Sequence, residues 1–167
     1  MKTNIVLIGM MGSGKTTIGK ELVKTLSDYE CVDIDLEIEN STQKKISEIF
    51  LKHGEQFFRM LETEKIRKFC SNGQKQIIST GGGAFESEEN RKNLVSSGIV
   101  IYLKASPQEI FNRIKNETHR PLLKKDFSVE KISNIMKIRE PNYKKADFII
   151  ETDEKTPQNI VNEILEV

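Results

Sequence analysis

The chain has only two cysteines, Cys31 and Cys70, and neither sits in a CxxC pair or at ligand spacing from a histidine. That argues against a zinc site or a dithiol redox motif and points to two buried thiols in a reducing compartment. Four prolines and ten glycines in 167 residues are too few for a fibrous or low-complexity chain, and no stretch repeats. Net charge is nearly absent as well. With 26 Lys+Arg against 25 Asp+Glu the formal balance is +1, so no global field recruits nucleic acid or an anionic membrane. Long apolar runs are missing: one lysine and then Ile5 to Ile8 make neither a signal peptide nor a membrane span, and the cytoplasm is the expected compartment.

The length suits one domain, residues 1–167, able to bury a core unaided. Short β-branched runs, "NIVLI", "CVDI", "QIIST", "GIVIYL" and "DFIIE", alternate with helix-length stretches. Such apolar strands suit a parallel sheet covered on both faces, so the spacing predicts a three-layer α/β/α sandwich on about five strands. Ser106-Pro107-Gln108-Glu109 and Thr156-Pro157 read as helix starts. Two segments fall outside the alternation. Residues 36–73 carry Phe57, Phe58, Leu61, Ile66 and Phe69 at helical spacing, a buried face. Residues 115–127, "KNETHRPLLKKDF", read as a surface flap suited to a mobile lid.

Gly9-Met10-Met11-Gly12-Ser13-Gly14-Lys15-Thr16 satisfies G-x-x-x-x-G-K-[ST] between a strand and a helix. Glycines let backbone N–H groups converge on phosphate oxygens, and the positive end of the following helix adds to the attraction. Lys15 should reach the β and γ phosphates, and the Thr16 hydroxyl is placed for Mg²⁺. Nucleotide contacts are expected at Gly12, Ser13, Gly14, Lys15, Thr16 and Thr17. The next strand ends "VDIDLEIE", where Asp33 and Asp35, two apart, should leave one face at the carboxyl edge of the sheet, with Ile34 turned into the core. One of them reads equally well as the cap of a helix beginning at Leu36. Beside a phosphate loop, Asp33 suits Mg²⁺ or its waters, and Asp35 suits the proton of an acceptor hydroxyl.

"ISEIFLKHGEQFFRMLE", "STGGG", "RPLL" and "REPNYKKAD", in order after "GMMGSGKTTIGK" and "VDIDLEIE", resemble the shikimate kinase family from Gly9 to about Ala146. The resemblance implies a P-loop kinase of the nucleoside monophosphate kinase-like fold. Its implied reaction is phosphorylation of the 3-hydroxyl of shikimate by ATP with Mg²⁺, on the route to chorismate and aromatic amino acids. It implies that Arg59 and Arg139 hold the substrate carboxylate, Asp35 the reacting hydroxyl, and the Gly82 N–H another oxygen. Arg120 becomes the lid arginine on the transferring phosphate, while Arg113 and Pro157 border the adenine. The residue types suit that role, since a carboxylate with several hydroxyls calls for guanidinium forks, a nearby carboxylate and backbone donors. Glu62, three residues after Arg59, is spaced to orient its guanidinium, and Phe50 and Phe58 would supply apolar walls.

Taken alone, Arg59 reads as a solvated helix charge, Arg139 as a complement to a helix end before Pro141, and Gly81 to Gly83 as a turn. Lys155 stands where relatives often carry arginine, and the stretch after Leu123 is individual to this chain. A kinase for another polyol acid such as gluconate, and a non-catalytic ATP-binding module, are the competing readings. Shikimate and ATP are the expected partners of a monomer, with no nucleic acid or membrane.

Overall fold

The computed structural model describes residues 3–115 and 128–167. Five strands make one sheet in the order β2-β3-β1-β4-β5, every pair parallel. They are β1 (Asn4–Ile8), β2 (Glu30–Asp33), β3 (Gln76–Ser79), β4 (Gly98–Lys104) and β5 (Phe148–Glu151). All five expected runs are strands, each within a few residues of its expected limits. Among the described residues seven α-helices connect and cover them: α1 (Lys15–Thr25), α2 (Ile34–Thr42), α3 (Ile46–Ser71), α4 (Glu88–Ser97), α5 (Pro107–Ile114), α6 (Val129–Tyr143) and α7 (Pro157–Leu165).

Strand alternation sorts the core into two layers. Val6, Ile8, Val32, Ile78, Val100 and Tyr102 face one side, against Ile34, Ile38, Ile49, Phe58, Ile66, Leu94 and Tyr143 from the helices. Leu7, Ile77, Ile101, Leu103 and Ile150 face the other, against Ile18 and Leu22 of α1 and Ile160, Val161 and Ile164 of α7. Each fully buried aliphatic side chain contributes about 1.5–3 kcal/mol. Ile18 and Leu22 therefore also anchor the start of α1, where the phosphate loop ends. The helix starts at Ser106 and Thr156 form as expected, each hydroxyl accepting from the backbone N–H three residues on.

Several expectations need correction. Asp33 and Asp35 do not share a strand face, because β2 ends at Asp33 and α2 starts at Ile34, two residues before the expected Leu36. Pro141 does not follow a helix end; α6 runs through it to Tyr143. Cys31 and Cys70 are half-buried free thiols, not fully buried ones, and partial burial pushes both above the ordinary thiol range. In the 36–73 segment Phe58 and Ile66 are buried, while Phe57, Leu61 and Phe69 pack at the core's margin. Within α3 the backbone breaks at Gly54, where φ 80° and ψ 174° are reached readily only without a Cβ. Arg120, with all of the expected flap except Lys115, lies outside the described residues.

Candidate active site

The chain lays β2 and β3 on one side of β1 and then crosses to β4 and β5 on the other, and the site lies at the carboxyl ends of these strands. A cavity of about 420 Å³ opens there, lined by Met11, Gly12, Gly14, Lys15, Thr16 and Thr17 of the loop and α1, by Asp33 and Asp35, by Ser79 to Gly82, and by Arg113 and Ile114. Close packing shapes the loop: a Cβ on Gly9 would lie 2.5 Å from the Leu103 carbonyl oxygen, so the strand-to-helix turn requires glycine there. The Lys15 ammonium donates to the carbonyls of Gly9 (2.9 Å) and Met10 (2.8 Å). Ser13 is buried and does not line the cavity, and among the described residues its hydroxyl has no hydrogen-bond partner.

Asp33 caps α2 and also reaches the phosphate loop. Oδ1 accepts from the Leu36 N–H (3.2 Å) as the cap of α2, and Oδ2 accepts from the Thr16 hydroxyl (2.6 Å). Thr16 and Asp33 thus present two hard oxygen donors together at the phosphate loop, which suits Mg²⁺, an ion that takes few protein ligands and keeps water and phosphate oxygens. Among the described residues no group of three His, Cys, Asp or Glu is clustered to cage a metal.

A second cavity, about 310 Å³, shares Met11, Thr16, Asp33, Asp35, Gly81 and Gly82 with the first. Its far side is built by Ile46, Phe50, Phe58, Arg59 and Glu62 of α3, by Gly83 and by Arg139 of α6. Phe50 and Phe58 stack with ring centroids 4.9 Å apart, and the Arg59 guanidinium lies 5.2 Å from the Phe58 ring centre. Arg59 is aimed by its own helix: Nη1 donates to Glu62 Oε2 (2.8 Å) and Nη2 to Glu55 Oε1 (3.1 Å). Burial opposes the Arg59 charge, but Glu62 and Glu55 outweigh it and hold the guanidinium above its ordinary range. Burial pushes the Glu62 carboxyl up, Arg59 and Arg139 pull it down, Asp35 adds to the rise, and the net shift is upward. Glu62 Oε1 has no hydrogen-bond partner among the described residues, and with Asp35 Oδ1 it closes on Gly81, where an added Cβ would lie 2.8 and 2.9 Å from the two oxygens.

At the first cavity, Arg113 is tied into the protein. It donates to Gly12 O (3.3 Å), Thr152 Oγ1 (3.2 Å), Thr152 O (2.9 Å) and Glu109 (2.8 Å), linking the loop to the turn after β5. Pro157 opens α7 and is not among the residues lining either cavity, and Lys155 pairs with Glu163 (2.7 Å). Sequence reasoning missed Ser79, Thr80 and Ile46, ordinary residues placed only by topology. It also missed Tyr143, whose hydroxyl donates to the Gly82 carbonyl; its one available signal was a spacing of four from Arg139 on α6.

Gly83 provides a test of this geometry. A Cβ there would lie 2.5 Å from Arg59 Nη2 and 2.9 Å from Cζ. Gly83→Ala is expected to fold and to displace the guanidinium, raising the KM for the second cavity's ligand about tenfold and leaving that for nucleotide within twofold. Steady-state kinetics varying each substrate in turn would reveal the asymmetry.

A phosphate loop opening into an adjoining arginine-lined chamber, at the carboxyl edge of a parallel sheet, defines a P-loop kinase for small molecules. The shikimate kinase family model matches residues 11–167, and the chain belongs to that family. It is 44% identical to the shikimate kinase of Thermodesulfovibrio yellowstonii across 97% of this chain and 92% of the relative. It is 43% identical to that of Persephonella marina across 97% and 96%. The solved shikimate kinase of Acinetobacter baumannii in complex with shikimate superposes with TM-score 0.93 at 37% identity, covering 98% of this chain and 91% of that one.

Proposed function

We infer that the protein transfers the γ-phosphoryl group of ATP to the 3-hydroxyl of shikimate, giving shikimate 3-phosphate and ADP for chorismate and aromatic amino acid synthesis. The observation that carries this reading is the shared wall, which sets Asp35 and Gly82 between a phosphate loop and a chamber holding two arginines over an aromatic floor. ATP lies with its phosphates against the Gly12–Thr17 amides and its base towards Arg113. Shikimate fills the second chamber, its carboxylate on Arg59 and Arg139, an oxygen on the Gly82 N–H, and its reacting hydroxyl on Asp35. The hydroxyl gives its proton to Asp35 as its oxygen bonds to the γ-phosphorus, and the bond from that phosphorus to the β–γ bridging oxygen breaks, with Lys15 countering the charge that develops. Thr16 and Asp33 would hold Mg²⁺, which when bound neutralises charge shared by the β and γ phosphates. Arg120 is assigned, by family resemblance, to clamp the transferring group. Ser13 and Pro157 keep their nucleotide assignments on the same resemblance alone.

Residues 1–167 act as one domain in this proposal, with 36–73 as the acceptor-binding portion, 115–127 as the lid, and a monomer in the cytoplasm as the working form. Among the described residues no helix is long and apolar enough to cross a membrane. A coupled ADP-release assay with shikimate and with gluconate tests the reaction. Shikimate-dependent turnover supports it; gluconate-dependent turnover or none rejects it.

The arginine pair supplies a finer measurement. Arg139→Ala should remove a charge-assisted contact of about 1.5–3 kcal/mol, read as shikimate binding weakened about 10- to 150-fold with ATP affinity nearly unchanged. Arg59→Ala should do the same and also lower the melting temperature, because the fully buried Glu62 then loses its ion-pair partner. Lysine at either position should rescue only in part, lacking the fork. The wild type should reject an analogue without the carboxylate far more strongly than either alanine variant does. Equal discrimination by all three enzymes would remove the carboxylate from the assignment.

A further inference from the structure

α6 carries Arg139 and, one helical turn further on, Tyr143, so both side chains leave the same face. Tyr143 is almost fully buried, and its ring packs on Tyr102 with centroids 4.9 Å apart. Its hydroxyl does not stay within the core. It donates to the carbonyl of Gly82, the residue whose N–H faces the acceptor in the proposed reaction. Arg139 closes on the same residue: a Cβ on Gly82 would stand 3.3 Å from Arg139 Nη1 and 3.2 Å from the Met11 N–H nitrogen. The rest of the glycine turn is held from behind. Gly81 O accepts from the Ala84 N–H (3.1 Å) and Gly83 O from the Glu86 N–H (3.1 Å), while Asn142 donates to Glu86 (3.1 Å). Gly82 O takes its hydrogen bond from a side chain of α6 instead.

We propose that Tyr143 is a positioning residue for acceptor recognition, its hydroxyl holding the Gly82–Gly83 peptide and so the C-terminal side of Gly82, which keeps Gly82 and the Arg139 guanidinium in place as one fixed receptor for the acceptor's oxygens. The proposal rests on the shikimate reading of the second cavity. A peptide plane is rigid, so the Tyr143 bond fixes the plane running from the Gly82 carbonyl to the Gly83 N–H, and the Ala84 bond to Gly81 O fixes the preceding plane, which carries the Gly82 N–H. With the planes on both sides of its Cα held, Gly82 keeps one backbone conformation. The phenol remains a donor at any working pH, since burial pushes it up to about 12 against the pull of Arg139. Tyr102 provides the internal control: it shares the ring stack, but among the described residues its buried hydroxyl has no hydrogen-bond partner and it lines neither cavity.

Tyr143→Phe and Tyr102→Phe would be compared with wild type for melting temperature, for ATP KM, and for shikimate KM and kcat. The expected result is a shikimate KM raised about tenfold in Tyr143→Phe, the loss of one buried hydrogen bond, with ATP KM within twofold. Tyr102→Phe should match wild type. Combining Tyr143→Phe with Arg139→Ala should raise KM by less than the product of the single effects, because both act on one receptor. A wild type with no shikimate-dependent turnover would defeat the reading of the cavity. An active wild type whose Tyr143→Phe variant keeps its shikimate KM, shifts both KM values alike, matches Tyr102→Phe or fails to fold would overturn the role of Tyr143 alone.

Discussion

Lys15→Ala is expected to fold and to retain about one part in 10² to 10³ of wild-type kcat, the usual cost of removing a preorganised charge from developing negative charge. Burial of Ile18 and Leu22 holds the start of α1 independently of the lysine, so the loop's amides should remain in place. The carbonyls of Gly9 and Met10 lose their ammonium donor, a stability loss on the order of 1 kcal/mol each. Folding is read by thermal melting, turnover by ADP release. A folded variant with near-normal turnover would reject the phosphate site.

Asp35→Asn should do at least as much to kcat, lowering it about 10²- to 10⁴-fold with little change in shape. Asp35 lies in the first turn of α2, where its charge favours the helix by roughly 0.3–1 kcal/mol, so the expected melting shift is small. Asp33 offers the contrast. Its two oxygens already serve the Leu36 N–H and the Thr16 hydroxyl, so Asp33→Asn should combine a weaker cap with altered Mg²⁺ dependence. The decisive experiment titrates Mg²⁺ against turnover in both variants. If Asp35→Asn is repaired by added Mg²⁺ and Asp33→Asn is not, the two roles are exchanged.

The phosphate loop was legible because its chemistry is local: a strand, glycines where the backbone must turn closely, and a lysine and threonine at fixed offsets. The five strands were legible because parallel strands buried on both faces leave short apolar runs. Arg59 was not legible on physical grounds alone, since its partner Glu62 looks like any helical surface charge until α3 is packed against the sheet. Asp33 and Asp35 reached a common wall for a reason other than the one expected. The strand stops between them, and the first turn of α2, not period-two alternation, carries Asp35 to the cavity. Arg113 depends on Thr152, thirty-nine residues away, and no spacing encodes that contact. Tyr143 was hidden because a buried tyrosine beside another aromatic reads as core, and only the fold reveals that its hydroxyl reaches a loop 61 residues back.

The wall common to the two cavities has a thermodynamic consequence. Met11, Thr16, Asp33, Asp35, Gly81 and Gly82 border both spaces, so a ligand that stiffens them from one side spares the other ligand part of that ordering cost. Linkage then requires reciprocity. Whatever factor bound nucleotide adds to shikimate affinity, bound shikimate must add to nucleotide affinity, and the two-ligand binding surface is described by two dissociation constants and a single coupling factor.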